Sequence, residues 1–137
     1  MDHLEGMGLL EIVISISIVM IFFGVTFPLW ATLYRQMTQV QTRIRHQCHL
    51  NWLADRICDD VQFSGTPSVW DTTLTIAGSS TITYQKSGTS IRRQTSGTTQ
   101  TLSTFPITQW QAWVSGNTVS IIIHTAVAST DRTCTSW

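Results

Sequence analysis

An apolar run near the N-terminus constrains this chain more than any other feature. From residue 7 to residue 33 the only ionisable side chain is Glu11, and Ser15, Ser17, Thr26 and Thr32 are minor polar interruptions. A bilayer core of about 30 Å is crossed by some 20 apolar residues in a helix, so the run is long enough to span one. A carboxylate near the bilayer centre costs roughly 2.5–3.5 kcal/mol on insertion scales. The presence of Glu11 therefore needs a reason. The run does not read as a cleaved secretory signal. The preceding MDHLE is acidic, the apolar stretch is too long, and Phe27-Pro28-Leu29-Trp30 lacks small residues for cleavage.

The run continues into a helical pattern. Leu33, Met37, Val40, Ile44 and Cys48 recur at steps of four, three, four and four. No Gly or Pro lies between Leu29 and Ser64, so one helix is expected as far as Val61. At 1.5 Å per residue it would be roughly 80 Å long from residue 8. Leu50, Leu53, Ile57 and Val61 form a second stripe on nearly the opposite side. This second stripe is expected to pack on the chain's own domain, which leaves the first to a different partner. Pro28 removes a backbone donor and predicts a kink or local unwinding.

After Gly65-Thr66-Pro67 the period becomes two. Leu74-Thr75-Ile76 and Ile82-Thr83-Tyr84 alternate, Ser87-Gly88 and Ser96-Gly97 mark turns, and Ile91 begins another strand. Residues 107–114 and 119–127 are two further β-rich runs joined by Ser115-Gly116-Asn117-Thr118. The expected fold is α+β: a long N-terminal helix, one half membrane-spanning and one half amphipathic, packed on a C-terminal antiparallel sheet of four or five strands. Trp70, Trp110 and Trp113 are expected in the core or on a sheet face.

The stretch Gly6-Met7-Gly8-Leu9-Leu10-Glu11, followed by the apolar run, resembles the class III signal of type IV prepilins and pseudopilins. The resemblance implies cleavage after Gly6 by a prepilin peptidase and N-methylation of the new terminus at Met7. Residues 1–6 would be the leader, 7–30 the transmembrane and polymerisation helix, 31–63 its amphipathic continuation, and 64–137 the β-rich domain. Glu11 would be the fifth mature residue, where the family carries its glutamate. Pro28 would be the twenty-second, where many members carry a helix-loosening proline. The implied role of Glu11 is to pair with the charged N-terminus of a neighbouring subunit, because a paired charge is tolerated in apolar surroundings and a bare one is not.

Leu53-Ala54-Asp55-Arg56-Ile57-Cys58-Asp59-Asp60-Val61, with Ile82-Thr83-Tyr84 and Ile91-Arg92-Arg93, is similar to minor pilins and J-type pseudopilins. The implied partners are other pilin or pseudopilin subunits, the prepilin peptidase, an inner-membrane assembly platform and membrane lipid. The implied location is the cytoplasmic membrane, single-pass, with the C-terminal domain outside the cytoplasm. The filament follows on assembly. Two features depart from the family pattern. The leader lacks basic residues, and Arg35, Arg43 and Arg45 follow the span. Taken alone, the positive-inside rule would place the C-terminal side in the cytoplasm. The alternative reading is a single-span anchored binding module that never polymerises.

The remaining residues give narrower expectations. Cys48 and Cys58 are separated by about 15 Å of helical rise, while a disulfide allows at most about 7 Å between Cα atoms. Cys134 could therefore join one of them, with Cys58 the better placed, or remain a buried thiol. His46, Cys48 and His49 do not converge as a zinc set and read as polar helix surface. No metal and no cofactor is implied. No nucleophile elbow, metalloprotease helix or phosphate loop occurs, so catalysis is not expected. Eight basic and eight acidic residues give zero net charge, which disfavours nucleic acid as a partner. Arg92, Arg93 and Lys86 with Trp110 or Trp113 would make at most a small basic-aromatic patch. An arginine pair at a strand edge more often guards that edge against aggregation.

Overall fold

The computed structural model describes residues 3–136, with side chains from Gly8 onward. A single helix α1 (His3–Ser64) is followed by eight strands: β1 (Thr66–Trp70), β2 (Thr73–Ala77), β3 (Ile82–Ser87), β4 (Ser90–Thr95), β5 (Thr98–Thr101), β6 (Ile107–Ser115), β7 (Thr118–Thr125) and β8 (Ser129–Thr135). The fold is α+β as expected, and the antiparallel strands divide into two sheets, ordered β1-β2-β3-β4-β5 and β6-β7-β8. Strands β5 and β8 escape a periodicity reading because they carry few apolar residues, and β1 because Val69 and Trp70 adjoin rather than alternate. β5 is Thr-Thr-Gln-Thr and is exposed throughout. The chain forms two compact units, one up to Gln41 and one from Thr42.

In the second unit, helix and sheets share one core. Leu50, Leu53, Ala54, Ile57 and Val61 are wholly buried on the helix side. Leu74, Ile76, Ile82, Tyr84 and Ile91 face them from the first sheet, and Trp110, Val119, Ile121 and Ile123 from the second. Full burial of each such aliphatic side chain stabilises by about 1.5–3 kcal/mol. The second helical stripe thus packs where its spacing put it. The tryptophans separate. Trp110 is buried, its indole N–H donating to the Thr72 carbonyl at 2.8 Å. Trp113 is half exposed, and Trp70 is 85% exposed. The β1–β2 register sets Trp70 opposite Thr73, on the outward face.

The helix ends where two backbones touch. Gly65 has φ +140, and a Cβ there would lie 2.1 Å from the Ala77 carbonyl oxygen. A Cβ on Gly78 would lie 1.5 Å from that of Ser64. Only glycine permits so close a crossing. No basic residue occupies the last helical turn, although cations are favoured there. Arg93 of β4 supplies the missing charge. Its Nε donates to Asp60 Oδ2 at 2.6 Å and to the Tyr84 hydroxyl oxygen at 3.3 Å, while the Tyr84 hydroxyl donates to Asp60. Burial, then the Asp60 carboxylate, pushes the Tyr84 phenol well above its ordinary range, and the bond to Asp60 raises the Arg93 guanidinium.

A disulfide joins Cys58 to Cys134, with Cα atoms 5.3 Å apart and a sequence separation of 76. A loop of this length corresponds to about 4 kcal/mol in the chain-entropy model. The arginine pair is not an edge guard. β5 pairs with β4 beyond it, Arg93 turns inward to Asp60 and Arg92 turns out. Lys86 donates to the Thr108 carbonyl at 2.8 Å.

Asp60→Ala is expected to cost about 3 kcal/mol, because it strands the Arg93 charge with little access to water. Chemical denaturation of the detergent-solubilised chain, followed by tryptophan fluorescence, would measure it. Asp59→Ala, at an exposed neighbour, is expected to be near neutral.

Candidate functional site

The surface that sets this chain apart is the bare apolar helix. Across Gly8–Ser64 the helix is long and apolar enough to cross a membrane, and its most apolar window has no residue buried within the chain. Leu9, Leu10, Ile12, Met20, Phe22, Phe23, Phe27 and Trp30 are all exposed. From residue 8 to residue 30 the rise is about 34 Å, enough for a single membrane pass. An apolar surface of this size facing water would be strongly unfavourable, so lipid or other helices must cover it.

The helix leaves few polar groups for that cover to satisfy. The Ser17 hydroxyl donates to the Val13 carbonyl at 2.7 Å, Thr26 to Phe22 at 2.6 Å and Thr32 to Pro28 at 2.8 Å. Each bond reaches back four residues, so these hydroxyls satisfy themselves on their own helix. α1 is helical through Pro28, so local unwinding is not seen there. Neighbouring turns hold the segment even though one backbone donor is lost. Trp30 and Tyr34 stack with ring centroids 6.3 Å apart, immediately before Arg35. Aromatic rings of this kind concentrate at membrane–water interfaces. Trp30 closes the membrane-length part of the apolar run and Tyr34 lies just beyond residue 33, a placement that a count of apolar residues does not mark.

Glu11 is exposed on this surface and forms no ion pair among the described residues. Gly6 and Met7 lie within the helix's first turns, and their side chains fall outside those described. Met1 and Asp2 also fall outside the described residues. Leu33, Met37, Val40 and Ile44 of the first stripe are exposed among the described residues.

The histidines serve the domain rather than the helix surface. His46 stacks on Phe105 with centroids 3.7 Å apart, and its Nδ1 lies 3.3 Å from the Thr125 hydroxyl. His49 Nε2 accepts the Thr104 backbone N–H at 3.0 Å, and its ring meets Phe105 edge-on. Both rings are half-buried, clamping the connection between β5 and β6. No short-range pattern could reveal this, since Thr104 is 55 residues away. Cys48 is exposed and unbridged. Among the described residues, no three His, Cys, Asp or Glu side chains group as a metal site.

Burial, and then the neighbouring His46, lowers the His49 pKa below its ordinary value. A histidine depressed in the folded state is neutral there while the unfolded chain takes up a proton. Its contribution to stability is complete above about pH 6.5 and declines as the pH falls toward the folded value. Thermal unfolding midpoints are therefore expected to fall between pH 7 and pH 5. His49→Gln, which keeps an acceptor for Thr104, is expected to flatten that dependence.

Comparison of the chain with protein-family models, with curated proteins and with solved structures finds no match to any of them.

Proposed function

We propose that this chain is a prepilin-like subunit, a minor pilin or pseudopilin, of a type IV pilus, a competence pilus or a type II secretion pseudopilus. The observation that carries the reading is the bare apolar surface of α1, with Glu11 as the only ionisable residue from residue 7 to residue 33, on a helix whose other end is packed in the core of a β-domain. A simple anchor needs the span but has no use for the carboxylate. A subunit that leaves the membrane for a helical bundle needs both.

In this reading, cleavage after Gly6 frees the amino group of Met7, and the apolar helix stays on the mature chain. Glu11 then meets the amino terminus of the next subunit. A bare charge is costly in an apolar bundle and a paired one is tolerated, so the carboxylate selects the one axial register that neutralises it. The exposed stripe from Leu33 to Ile44 extends the same bundle.

Two further observations support the reading. The Cys58–Cys134 disulfide suits an oxidising compartment. This argues for a β-domain outside the cytoplasm and outweighs the modest bias of Arg35, Arg43 and Arg45. The segments that resemble minor pilins and J-type pseudopilins also meet, through Asp60, Tyr84 and Arg93.

Glu11→Gln tests the reading. Membrane insertion and cleavage after Gly6 are expected to persist. Recovery of the chain in sheared filament fractions is expected to drop at least tenfold, because removing one partner of a desolvated charge pair costs roughly 2–5 kcal/mol. Unchanged recovery would contradict the role of Glu11 and favour the non-polymerising anchored module.

A further inference from the structure

Ser15, Ser17, Thr26 and Thr32 interrupt the apolar run, and all but Ser15 are committed to their own helix. Ser15 is exposed and makes no hydrogen bond among the described residues. It is also the hydroxyl that shares a face with Glu11. Position 15 lies about 40° around the helix from position 11 and about 6 Å along it. Ser17 lies about 120° away around the helix, and Thr26 and Thr32 are at least about 20 Å further along. Cα–Cβ bonds in a helix tilt toward its N-terminus, so the Ser15 side chain leans back toward Glu11.

Gly8 stands on the same face, three residues before Glu11. A Cβ there would meet nothing within 4 Å, so the missing side chain relieves no crowding inside this chain. Glycine is also a poor helix former. What it provides is bare backbone one turn from the carboxylate, open to close approach by another chain.

The group that Glu11 meets in the assembly reading sets a hydrogen-bond requirement. An N-methylated amino terminus carries two N–H donors and no acceptor. In an apolar bundle each donor needs a partner, because an unmet one keeps its full desolvation cost. One carboxylate oxygen meets the first N–H. The two N–H bonds of one nitrogen diverge, so the second is better met by a separate acceptor. A serine hydroxyl has two lone pairs for this. Its own O–H can turn back to the carbonyl four residues earlier, here that of Glu11, as the other three hydroxyls do.

We propose that Ser15 accepts the second N–H of the amino terminus that Glu11 neutralises, and that Gly8 leaves the gap by which that terminus reaches them. The inference rests on the assembly reading and adds a positioning residue to it. Ser15 fixes where the ammonium sits against the carboxylate, which narrows the axial register that charge pairing alone allows.

The test uses full-length chain in cells that hold the assembly machinery. Intact mass confirms processing at Met7, and recovery in sheared filaments is taken relative to processed chain. Ser15→Ala is expected to lose about tenfold, the scale of a hydrogen bond to a charged group. Ser15→Thr, which keeps the hydroxyl, is expected to regain most of it, and Ser17→Ala to match the unsubstituted chain. In a Glu11→Gln background, Ser15→Ala is expected to add less than about twofold, because groups that share a partner are not additive. Gly8→Ala strengthens the helix, so a purely helical role predicts no loss, whereas closing the gap predicts one. Loss in Glu11→Gln with none in Ser15→Ala would overturn the role of Ser15 and leave the assembly reading standing. So would a Ser15→Ala loss that Ser17→Ala shares, that threonine does not rescue, or that adds in full to Glu11→Gln. Unchanged recovery of Gly8→Ala would overturn the role of Gly8. Unchanged recovery of Glu11→Gln would overturn the pairing at Glu11 and this inference with it.

Discussion

The burial of one helical face organises this molecule. Leu50, Leu53, Ala54, Ile57 and Val61 are wholly buried in one core shared with both sheets. Leu74 and Ile76 of the first sheet and Ile121 and Ile123 of the second lie in the same core cluster. The polar features follow from that seating. Asp60 is the next helical position toward the strands, and it reaches Tyr84 and Arg93 because Ile57 and Val61 hold the helix against β3 and β4. Cys58 lies beside the same face and meets Cys134 of β8. The polar cluster ties the helix to one sheet and the disulfide ties it to the other.

How far the architecture could be read beforehand depended on which residues carried it. The helix and its buried stripe were legible because Leu50, Leu53, Ile57 and Val61 repeat at the helical period. Strands β2 and β3 were legible because apolar residues alternate along them, and β6 and β7 because they are β-rich runs joined by the turn signal at Ser115-Gly116-Asn117-Thr118. β5 was not legible, since its four residues are polar and exposed and it forms only by pairing with β4. The outward turn of Trp70 was hidden for a similar reason, because the β1–β2 register rather than hydrophobicity sets its face. Arg93 read as a surface charge. It is drawn inward by a carboxylate 33 residues earlier, and no local pattern encodes such a partner. His46 and His49 likewise take their roles from Thr125, Thr104 and Phe105.

The candidate site was more legible than the core, because its logic is one of composition. A long apolar run with one carboxylate states a physical problem without any fold attached. The structure sharpens that problem. The Ser17, Thr26 and Thr32 hydroxyls are satisfied on their own helix, so Glu11 is the charged group that demands something from outside. In the proposed assembly that demand turns a non-specific greasy contact into one with a defined register. Apolar packing supplies most of the attraction and tolerates sliding, while a charge in apolar surroundings does not.

The central claim is that the apolar helix is a processed assembly stem rather than a simple anchor. Intact mass and N-terminal sequencing of the protein from cells with and without a prepilin peptidase test it most directly. The account predicts a chain that begins at N-methylated Met7 only when the peptidase is present. A chain that still begins at Met1 with the peptidase active would contradict it.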